Sequence, residues 1–326
     1  MAPTSNKTWV FSKIPDSYPV PGEHVTIQDR PIDLSAPPAN GVVVEILSAS
    51  MDPYLRGRMR DASIKSYMPA FEPDAPIVNG TVSRVLKSDS KDFAEGDLLF
   101  ANLPVAQYAR VDEATLARAQ KIHNPHGLDV ELFLGPLGMP GLTAYSALHK
   151  IGKPKAGETI FISSAAGAVG QVVGTIAKRE GLKVIGSVGS DEKLKFITEE
   201  LGFDAGFNYK KESVFDALPR LAPDGIDINW ENIESYNTPR DQQRGVKGLM
   251  QLVGKGITMQ GFLVGMPEFG PAYAKEHQEK VQAWLADGSF KAKLHVVEGI
   301  DKAGEAFVEM LKGGNLGKAV LKIKSA

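Results

Sequence analysis

The segment from Thr159 to Gly170 constrains the fold of this chain more than any other. It starts as a β-prone apolar run, turns through tiny residues, and leads directly into a helical pattern. Ala165, Gly167 and Gly170 fill the three positions of a G-x-G-x-x-G pattern, with alanine at the first. Such a tight turn brings bare backbone amides and a helix N-terminus against a pyrophosphate. The segment therefore predicts a dinucleotide site rather than an ordinary strand-to-helix turn. The residues predicted to line it are Ala165, Gly167, Ala168, Val169 and Gly170.

Two sequence textures predict two domains in an α/β chain. Up to residue 127, short β-prone runs such as Val42–Leu47 and Ile77–Leu86 alternate with prolines and glycines, which indicates a small β-barrel-like or sandwich-like module. From residue 128, strands alternate with helices, as in βαβ units that form a parallel sheet. The tail after residue 292 has a β-run, Leu294–Val297, and we expect it to return to the first module. The predicted domains are 1–127 with 293–326, and 128–292.

Composition argues against several classes of function. The 326 residues include 37 basic and 39 acidic side chains, which leaves no broad field for nucleic acid or an anionic membrane. No apolar run is long enough to span a bilayer. The absence of cysteine excludes disulfides and thiolate metal sites, and we expect a cytoplasmic location by default. His123 and His126 flank a proline, so we interpret them as loop residues and not as metal ligands.

The end of the second predicted strand indicates the cofactor. An acidic residue there would bind the adenosine ribose and select NAD, but Lys183–Gly189 ends in glycine and is followed by Ser190. Asp191 and Glu192 come too late and are predicted to cap the next helix. Lys193 stands one turn into that helix, where its ammonium can reach a 2′-phosphate. The sequence therefore favours NADPH over NADH.

Several motifs, spread over nearly the whole chain, carry a family resemblance. They include Met51-Asp-Pro-Tyr-Leu-Arg-Gly-Arg-Met59, Val78-Asn-Gly-Thr81, Gly138-Met-Pro-Gly-Leu-Thr-Ala144, Gly189-Ser-Asp-Glu-Lys193, Asn208-Tyr-Lys210, Ser235-Tyr-Asn237 and Asn315-Leu-Gly-Lys318. Together they resemble the zinc-independent medium-chain reductases, above all the branch of leukotriene B4 dehydrogenase, prostaglandin reductase and plant alkenal double-bond reductase. The resemblance implies a GroES-like β domain built from both chain ends and a Rossmann domain.

The resemblance also implies an activity: NADPH-dependent reduction of the carbon–carbon double bond of α,β-unsaturated aldehydes or ketones, with a hydrophobic substrate. It assigns Ser190, Lys193 and Tyr209 to the 2′-phosphate, and Asn232, Asn315 and Met139 to other parts of the cofactor. Tyr236 matches a tyrosine that meets the substrate carbonyl or delivers a proton, and Tyr54 matches a substrate-side position. For Tyr54, the alternative is a packed aromatic residue with its hydroxyl at the surface.

One departure from the family pattern follows Ile233. The family has a further helix and strand before Ser-x-Tyr-Asn, whereas here Ile233 and Glu234 run directly into Ser235. About 25 residues are missing at average element lengths, and the loss of the fifth strand should leave a gap in the sheet. Residues omitted from the sequence, a splice variant, or a family member with a differently closed sheet would each explain this.

The shortened segment keeps a second function open, and the segment after it suggests an assembly. The alternative function is an NADPH-binding protein with little redox activity, in a binding or structural role or as a lyase or cyclase. In the family, the strand corresponding to Ile257–Val264 pairs with its copy in a second subunit, so we expect a homodimer through that edge. We also predict that Ile226–Trp230 and Ile257–Val264 are not neighbours unless the sheet has been repaired.

Overall fold

The computed structural model describes residues 3–230, 237–238 and 250–325. The chain divides into two compact units, one made of Met1–Gly138 with Gln282–Ala326 and the other of Met139–Val281. Below they are called the first and the second unit. The second unit is shorter at both ends than the predicted domain 128–292. No helix in the described ranges combines the length and apolarity needed to cross a membrane.

The N-terminal part of the first unit is built mainly from β-strands. Its longest strands coincide with the predicted apolar runs, because continuous Val, Ile and Leu residues suit strands that are covered on both faces. All but one of the nine residues of the strand that starts at Val42 are buried. The elements are β1 (Lys7–Phe11), β2 (Val25–Asp29), β3 (Val42–Ser50), α1 (Tyr54–Arg58), β4 (Ala75–Pro76), β5 (Val78–Ser88), β6 (Leu98–Pro104), β7 (Tyr108–Val111), α2 (Glu113–Leu116) and β8 (Gln120–Lys121), followed by a 3-10 helix at Val130–Leu134.

The second unit contains the alternating strands and helices that the sequence predicts. The elements are α3 (Met139–Ala147) with a π-helical turn at Leu148–Gly152, β9 (Thr159–Ile162), α4 (Gly170–Arg179), β10 (Lys183–Val188), α5 (Asp191–Lys195) with a π-helical turn at Phe196–Glu200, β11 (Ala205–Asn208), α6 (Val214–Leu221), β12 (Ile228–Trp230), α7 (Met250–Lys255) and α8 (Gly270–Ala286), whose last turn extends past Val281. Strands β9 to β12 are parallel, in the order β11-β10-β9-β12.

The C-terminal tail completes the first unit, as predicted. It comprises β13 (Leu294–Glu298), a 3-10 turn at Ile300–Lys302, α9 (Ala303–Leu311) and β14 (Lys318–Lys322). Within the described residues, β13, β14, β3, β5, β6 and β8 lie side by side in one sheet, and β7 also pairs with β3. Phe307 of α9 packs edge-on against Trp9 of β1, with ring centroids 5.5 Å apart. The core of this unit thus joins residues from both chain ends, which confirms the predicted fold class.

The sheet of the second unit stops early. In the described part of the chain it has four strands, and β12 pairs only with β9. Along β12, Ile228 and Trp230 are half-buried and Asn229 is exposed, whereas a central strand of a parallel sheet is normally buried on both faces. The described residues thus place no fifth strand beside β12, and the loss of that strand from the whole chain stays a prediction.

The predicted strand Ile257–Val264 is not formed. These residues are irregular and are followed by turns, and no strand of the described sheet pairs with them. Several of their apolar side chains are exposed, including Met259 at 68% and Leu263 at 48%. A strand needs a hydrogen-bonded neighbour, and the strand that would adjoin this one is the one the sequence lacks. The edge strand through which a homodimer is expected is therefore not formed in the described structure, and the homodimer itself stays a prediction.

Candidate functional site

The turn after β9 has the shape that the glycine pattern predicts. Its chain folds back tightly, with the Ala165 amide donating to the Ser187 carbonyl at 3.0 Å and the Gly167 amide to the Ser164 carbonyl at 2.8 Å. Ser164 takes a left-handed φ of 49°, which costs energy for a residue with a Cβ. The turn thus holds its own backbone in place before α4 begins.

Glycine is required where α4 leaves this turn. A Cβ on Gly170 would lie 2.5 Å from the Ser164 carbonyl oxygen and 2.9 Å from the Ala165 Cα. Further along the helix, a Cβ on Gly174 would overlap the Phe203 ring at 1.9 Å. Without side chains, these two glycines let α4 lie close to the turn at one point and to Phe203 at the other. Close packing therefore explains why both positions, one helical turn apart, are glycine.

The N-terminus of α4 presents backbone donors. Its cap residue, Val169, offers no side-chain hydrogen bond to the first turn. Within the described residues, the amides of Val169 and Gly170 also donate to no carbonyl or side chain. Bare amides at the positive end of a helix suit an anionic group, and the glycines leave space for it. This part of the chain fits a dinucleotide pyrophosphate.

A second feature that suits an anion lies at the end of β10. The Ser190 side chain accepts the Lys193 amide at 3.2 Å and caps α5, which corrects the prediction that Asp191 and Glu192 would form the cap. Tyr209 is 47% exposed. A Cβ on Gly189 would come within 2.7 Å of the Tyr209 hydroxyl oxygen, so that glycine keeps the tyrosine close to the strand end.

Two lysines place positive charge at the same strand end. Burial lowers the pKa of Lys193, and the neighbouring Lys210 ammonium lowers it further. Like charges repel one another, and an anion beside the two ammonium groups would relieve that repulsion. Lys210 is not among the residues predicted to bind the cofactor, although it directly follows Tyr209 in the motif Asn208-Tyr-Lys210. A 2′-phosphate carries the charge that this arrangement suits.

Asp191, at the start of α5, has partners of its own. Asp191 accepts hydrogen bonds from Asn208 at 3.0 Å and Lys211 at 2.5 Å, and these two contacts hold its pKa below the usual range. Asp191 is thus paired with Lys211, which is exposed. The cluster of Ser190, Lys193, Tyr209 and Lys210 is called the cation cluster below.

The other predicted cofactor and substrate residues lie in both units. Met139 begins α3 in the second unit, and its carbonyl accepts the Thr143 hydroxyl at 2.7 Å. Asn315 lies in the loop before β14 in the first unit, where its side-chain amide donates to the Gly317 carbonyl at 2.7 Å. Asn232 and Tyr236 lie outside the described residues, so their predicted roles stay predictions.

Tyr54 begins α1 in the first unit and is half-buried, and its hydroxyl hydrogen-bonds to the Asn79 side chain. Asn79 in turn contacts Asp52, and Asp52 pairs with Lys318 at 3.0 Å. Burial lowers the pKa of Lys318, and the charge of Asp52 opposes that effect. Sequence analysis singled out Tyr54 but not its three partners, although all of them stand in the motifs that carry the family resemblance.

The histidines and carboxylates of the described chain form no metal centre. No three His, Asp or Glu side chains come together in these residues. His123 and His126 lie in the loop after β8, as predicted, where both are exposed. In this region the Asn124 side chain braces the Leu128 backbone through two hydrogen bonds, 2.7 and 2.9 Å long.

Comparisons with known proteins agree with this architecture. Residues 7–119 match the family described as the N-terminal domain of oxidoreductase. The chain is 45% identical to the NADP-dependent oxidoreductase RED1 of Cochliobolus heterostrophus, over 98% of this chain and 97% of that protein. It is 36% identical to the 2-alkenal reductase (NADP(+)-dependent) of Nicotiana tabacum, over 98% of this chain and 98% of that protein.

The structure of CurA in complex with NADPH, from Vibrio vulnificus, superposes with a TM-score of 0.85 at 29% identity, over 98% of this chain and 100% of that one. The alignment with RED1 spans 343 positions, more than the 326 residues present here, so the relative has positions without a counterpart. The chain therefore belongs to the zinc-independent medium-chain dehydrogenase/reductase family and is an oxidoreductase.

Proposed function

We propose that this oxidoreductase uses NADPH to reduce the carbon–carbon double bond of α,β-unsaturated ketones or aldehydes. The observation that carries the cofactor assignment is the cation cluster at the end of β10, where an NAD-binding protein would have an acidic residue. The enone assignment is supported by the motif resemblance and by the tobacco relative, which is named a 2-alkenal reductase.

The residues of the second unit would hold the cofactor by its phosphates. The amides of Val169 and Gly170 suit the pyrophosphate, and Lys193 and Lys210 suit the 2′-phosphate. Bound NADPH supplies a hydride, which adds to the β-carbon of the substrate. Everything else that the reaction needs must come from side chains or water.

Two tasks remain for the protein once the hydride has been delivered. Negative charge develops on the carbonyl oxygen of the substrate, and a fixed hydrogen-bond donor stabilises it. The α-carbon then takes a proton from an acid or from water. We propose Tyr236 for one of these tasks, because it matches the family's substrate-side tyrosine.

The shortened sheet favours a second candidate function. In the described residues, β12 is left as an edge strand and the apolar segment Ile257–Val264 stays irregular and partly exposed. In the family, the missing strand ends beside the nicotinamide. A protein without it can bind the phosphate half of NADPH and have little redox activity. The alternative is therefore an NADPH-binding protein of reductase descent.

One pair of measurements separates the two candidates. The binding of NADPH is followed by calorimetry, and its oxidation by the loss of its near-ultraviolet absorbance with a simple enone and, separately, a simple enal. The first proposal expects binding and turnover. Binding without turnover of either substrate would leave the alternative, and the absence of binding would contradict both. Tyr236→Phe serves as the test of the proposed substrate tyrosine.

A hydrophobic enone or enal as substrate, a homodimer and a cytoplasmic location stay predictions. Sedimentation of the purified chain would give its oligomeric state, and turnover across enones of increasing chain length would test the preference for hydrophobic substrates. If apolar substrates bind better, KM should fall by about threefold to fourfold for each methylene buried, at roughly 0.8 kcal/mol per group.

A further inference from the structure

A network of buried polar side chains links Lys318, Asp52, Ser50 and Asn79 in the first unit. Lys318 of β14 is 1% exposed, and its ammonium donates to the Met51 carbonyl at 2.5 Å and to Asp52 Oδ1 at 3.0 Å. The other carboxylate oxygen, Asp52 Oδ2, accepts from the Ser50 hydroxyl at 2.5 Å and from the Asn79 side-chain amide at 3.0 Å. A buried ion pair is costly to form and contributes little net stability. Its effect is therefore sought in the side chains that it contacts.

The pair determines the orientation of the Asn79 carboxamide. Its Nδ2 group donates to the Ser50 carbonyl at 2.6 Å and to Asp52 Oδ2 at 3.0 Å, which uses both of its hydrogens. The reverse orientation would turn Asn79 Oδ1 toward a carbonyl oxygen and a carboxylate oxygen. Three acceptors would then face one another in a buried place, which is strongly unfavourable. The Lys318 ammonium occupies Asp52 Oδ1, so Asp52 Oδ2 is the oxygen that faces Asn79 and maintains this preference.

The orientation of Asn79 in turn fixes the proton of Tyr54. Asn79 Oδ1 is left facing the Tyr54 hydroxyl, and a carboxamide oxygen can only accept. The tyrosine must therefore donate in this hydrogen bond. Any other group that meets the phenol oxygen has to be a donor itself.

We propose that Asn79, oriented by the Asp52–Lys318 pair, is a positioning residue that directs the Tyr54 proton into the first unit. Tyr54 then meets the reactants as a hydrogen-bond acceptor and does not protonate the substrate. This inference rests on the proposed function in one respect, that Tyr54 lies on the substrate side. It assigns the two tyrosines different tasks and leaves proton delivery to Tyr236 or water.

The hydrogen bond itself can be tested without substrate. Tyr54→Phe, Asn79→Leu and the double variant are unfolded thermally. If the two groups are bonded, the double variant loses less than the sum of the two single variants, by about 2 °C in Tm for a coupling the size of one neutral hydrogen bond. Tyr108→Phe, which removes a hydroxyl elsewhere in the same unit, combines additively with Asn79→Leu. Additivity in the Tyr54 cycle overturns the inference.

The role of Tyr54 is tested by kinetics with an enone, where kcat, KM and the solvent deuterium isotope effect are compared. An acceptor affects binding, so Tyr54→Phe should raise KM about fivefold, the size of one neutral hydrogen bond, and leave kcat nearly unchanged. Asn79→Leu should add little to that change in the Tyr54→Phe background. A large fall in kcat together with loss of the isotope effect would make Tyr54 the proton donor and refute the proposal.

Failure of the proposed function and failure of the inference about Tyr54 give different experimental results. If the wild-type protein oxidises no NADPH with an enone, the proposed function fails, and the unfolding cycle still decides whether Asn79 holds the Tyr54 proton. If the wild-type protein is active and Tyr54→Phe lowers kcat, only the present inference is lost. Tyr54→Phe is a mild change in a half-buried side chain, so the kinetic test does not depend on Asn79→Leu folding well.

Discussion

Replacing Lys193 with alanine should weaken NADPH binding and leave NADH binding unchanged, because the two cofactors differ only at the 2′-phosphate. A hydrogen bond to a charged group contributes about 1.5–3 kcal/mol. Lys193 is half-buried and partly screened by solvent, so the low end, about 1.5–2 kcal/mol, applies. We therefore expect an increase of roughly 10- to 30-fold in Kd for NADPH. Lys210 is exposed, and its replacement should cost less than about fivefold.

Calorimetric titration of the wild-type protein and of Lys193→Ala, each with NADPH and with NADH, gives the four dissociation constants directly. Lys195→Ala is the matched control, because this lysine is an exposed residue two positions further along α5. Lys195→Ala should change the Kd for NADPH and the Kd for NADH by no more than about twofold, the range expected of a solvated surface charge. Added salt should weaken NADPH binding in the wild-type protein more than in Lys193→Ala. Equal losses for NADPH and NADH in Lys193→Ala would refute the assignment of the cation cluster to the 2′-phosphate.

Three further predictions concern stability. Lys318→Met leaves a buried carboxylate unpaired and should lower the unfolding free energy in urea by about 3–5 kcal/mol, whereas Lys7→Met removes an exposed ion pair to Asp301, 2.7 Å long, and should cost at most about 1 kcal/mol; equal losses would contradict the buried pairing. Gly170→Ala should destabilise by about 1–3 kcal/mol and weaken NADPH binding, whereas Gly254→Ala, with open space at its Cβ, should not destabilise at all. Burial, aided by a carboxylate partner, raises the pKa of Tyr145 to about 12, so the folded state retains that proton longer than the unfolded state, and stability falls as the pH rises from 10 toward 12. Tyr145→Phe should flatten this fall. A tyrosine ionisation near pH 10 that is present in the ultraviolet titration of the wild-type protein and lost in that of Tyr145→Phe would contradict it, because the other tyrosines are common to both proteins.

The sequence was sufficient for features whose residues are close together along the chain. The turn between β9 and α4 depends on small residues within a dozen positions, and steric exclusion at Gly170 follows from their spacing. The strand β10 and its non-acidic end were likewise predictable, because an apolar run and the residues just after it form one local unit. Lys193 could be placed on α5 for the same reason.

Tertiary structure decided the features that join distant parts of the chain. Asp52 and Lys318 meet only because β14 pairs antiparallel with β3, and no local pattern gives the orientation that this pair imposes on Asn79. Lys210 joins the cation cluster because β11 lies beside β10.

The segment Ile257–Val264 shows where a local sequence pattern gives the wrong secondary structure. Its apolar, β-prone sequence predicts a strand, but a strand forms only against a hydrogen-bonded neighbour. The described sheet ends at β12, and this segment is not hydrogen-bonded to it as a strand. The sequence by itself thus determined the family, the fold class and the phosphate turn, because these depend on local patterns. The closing of the sheet and the direction of the Tyr54 proton depend on contacts between distant residues, and only the folded structure could decide them.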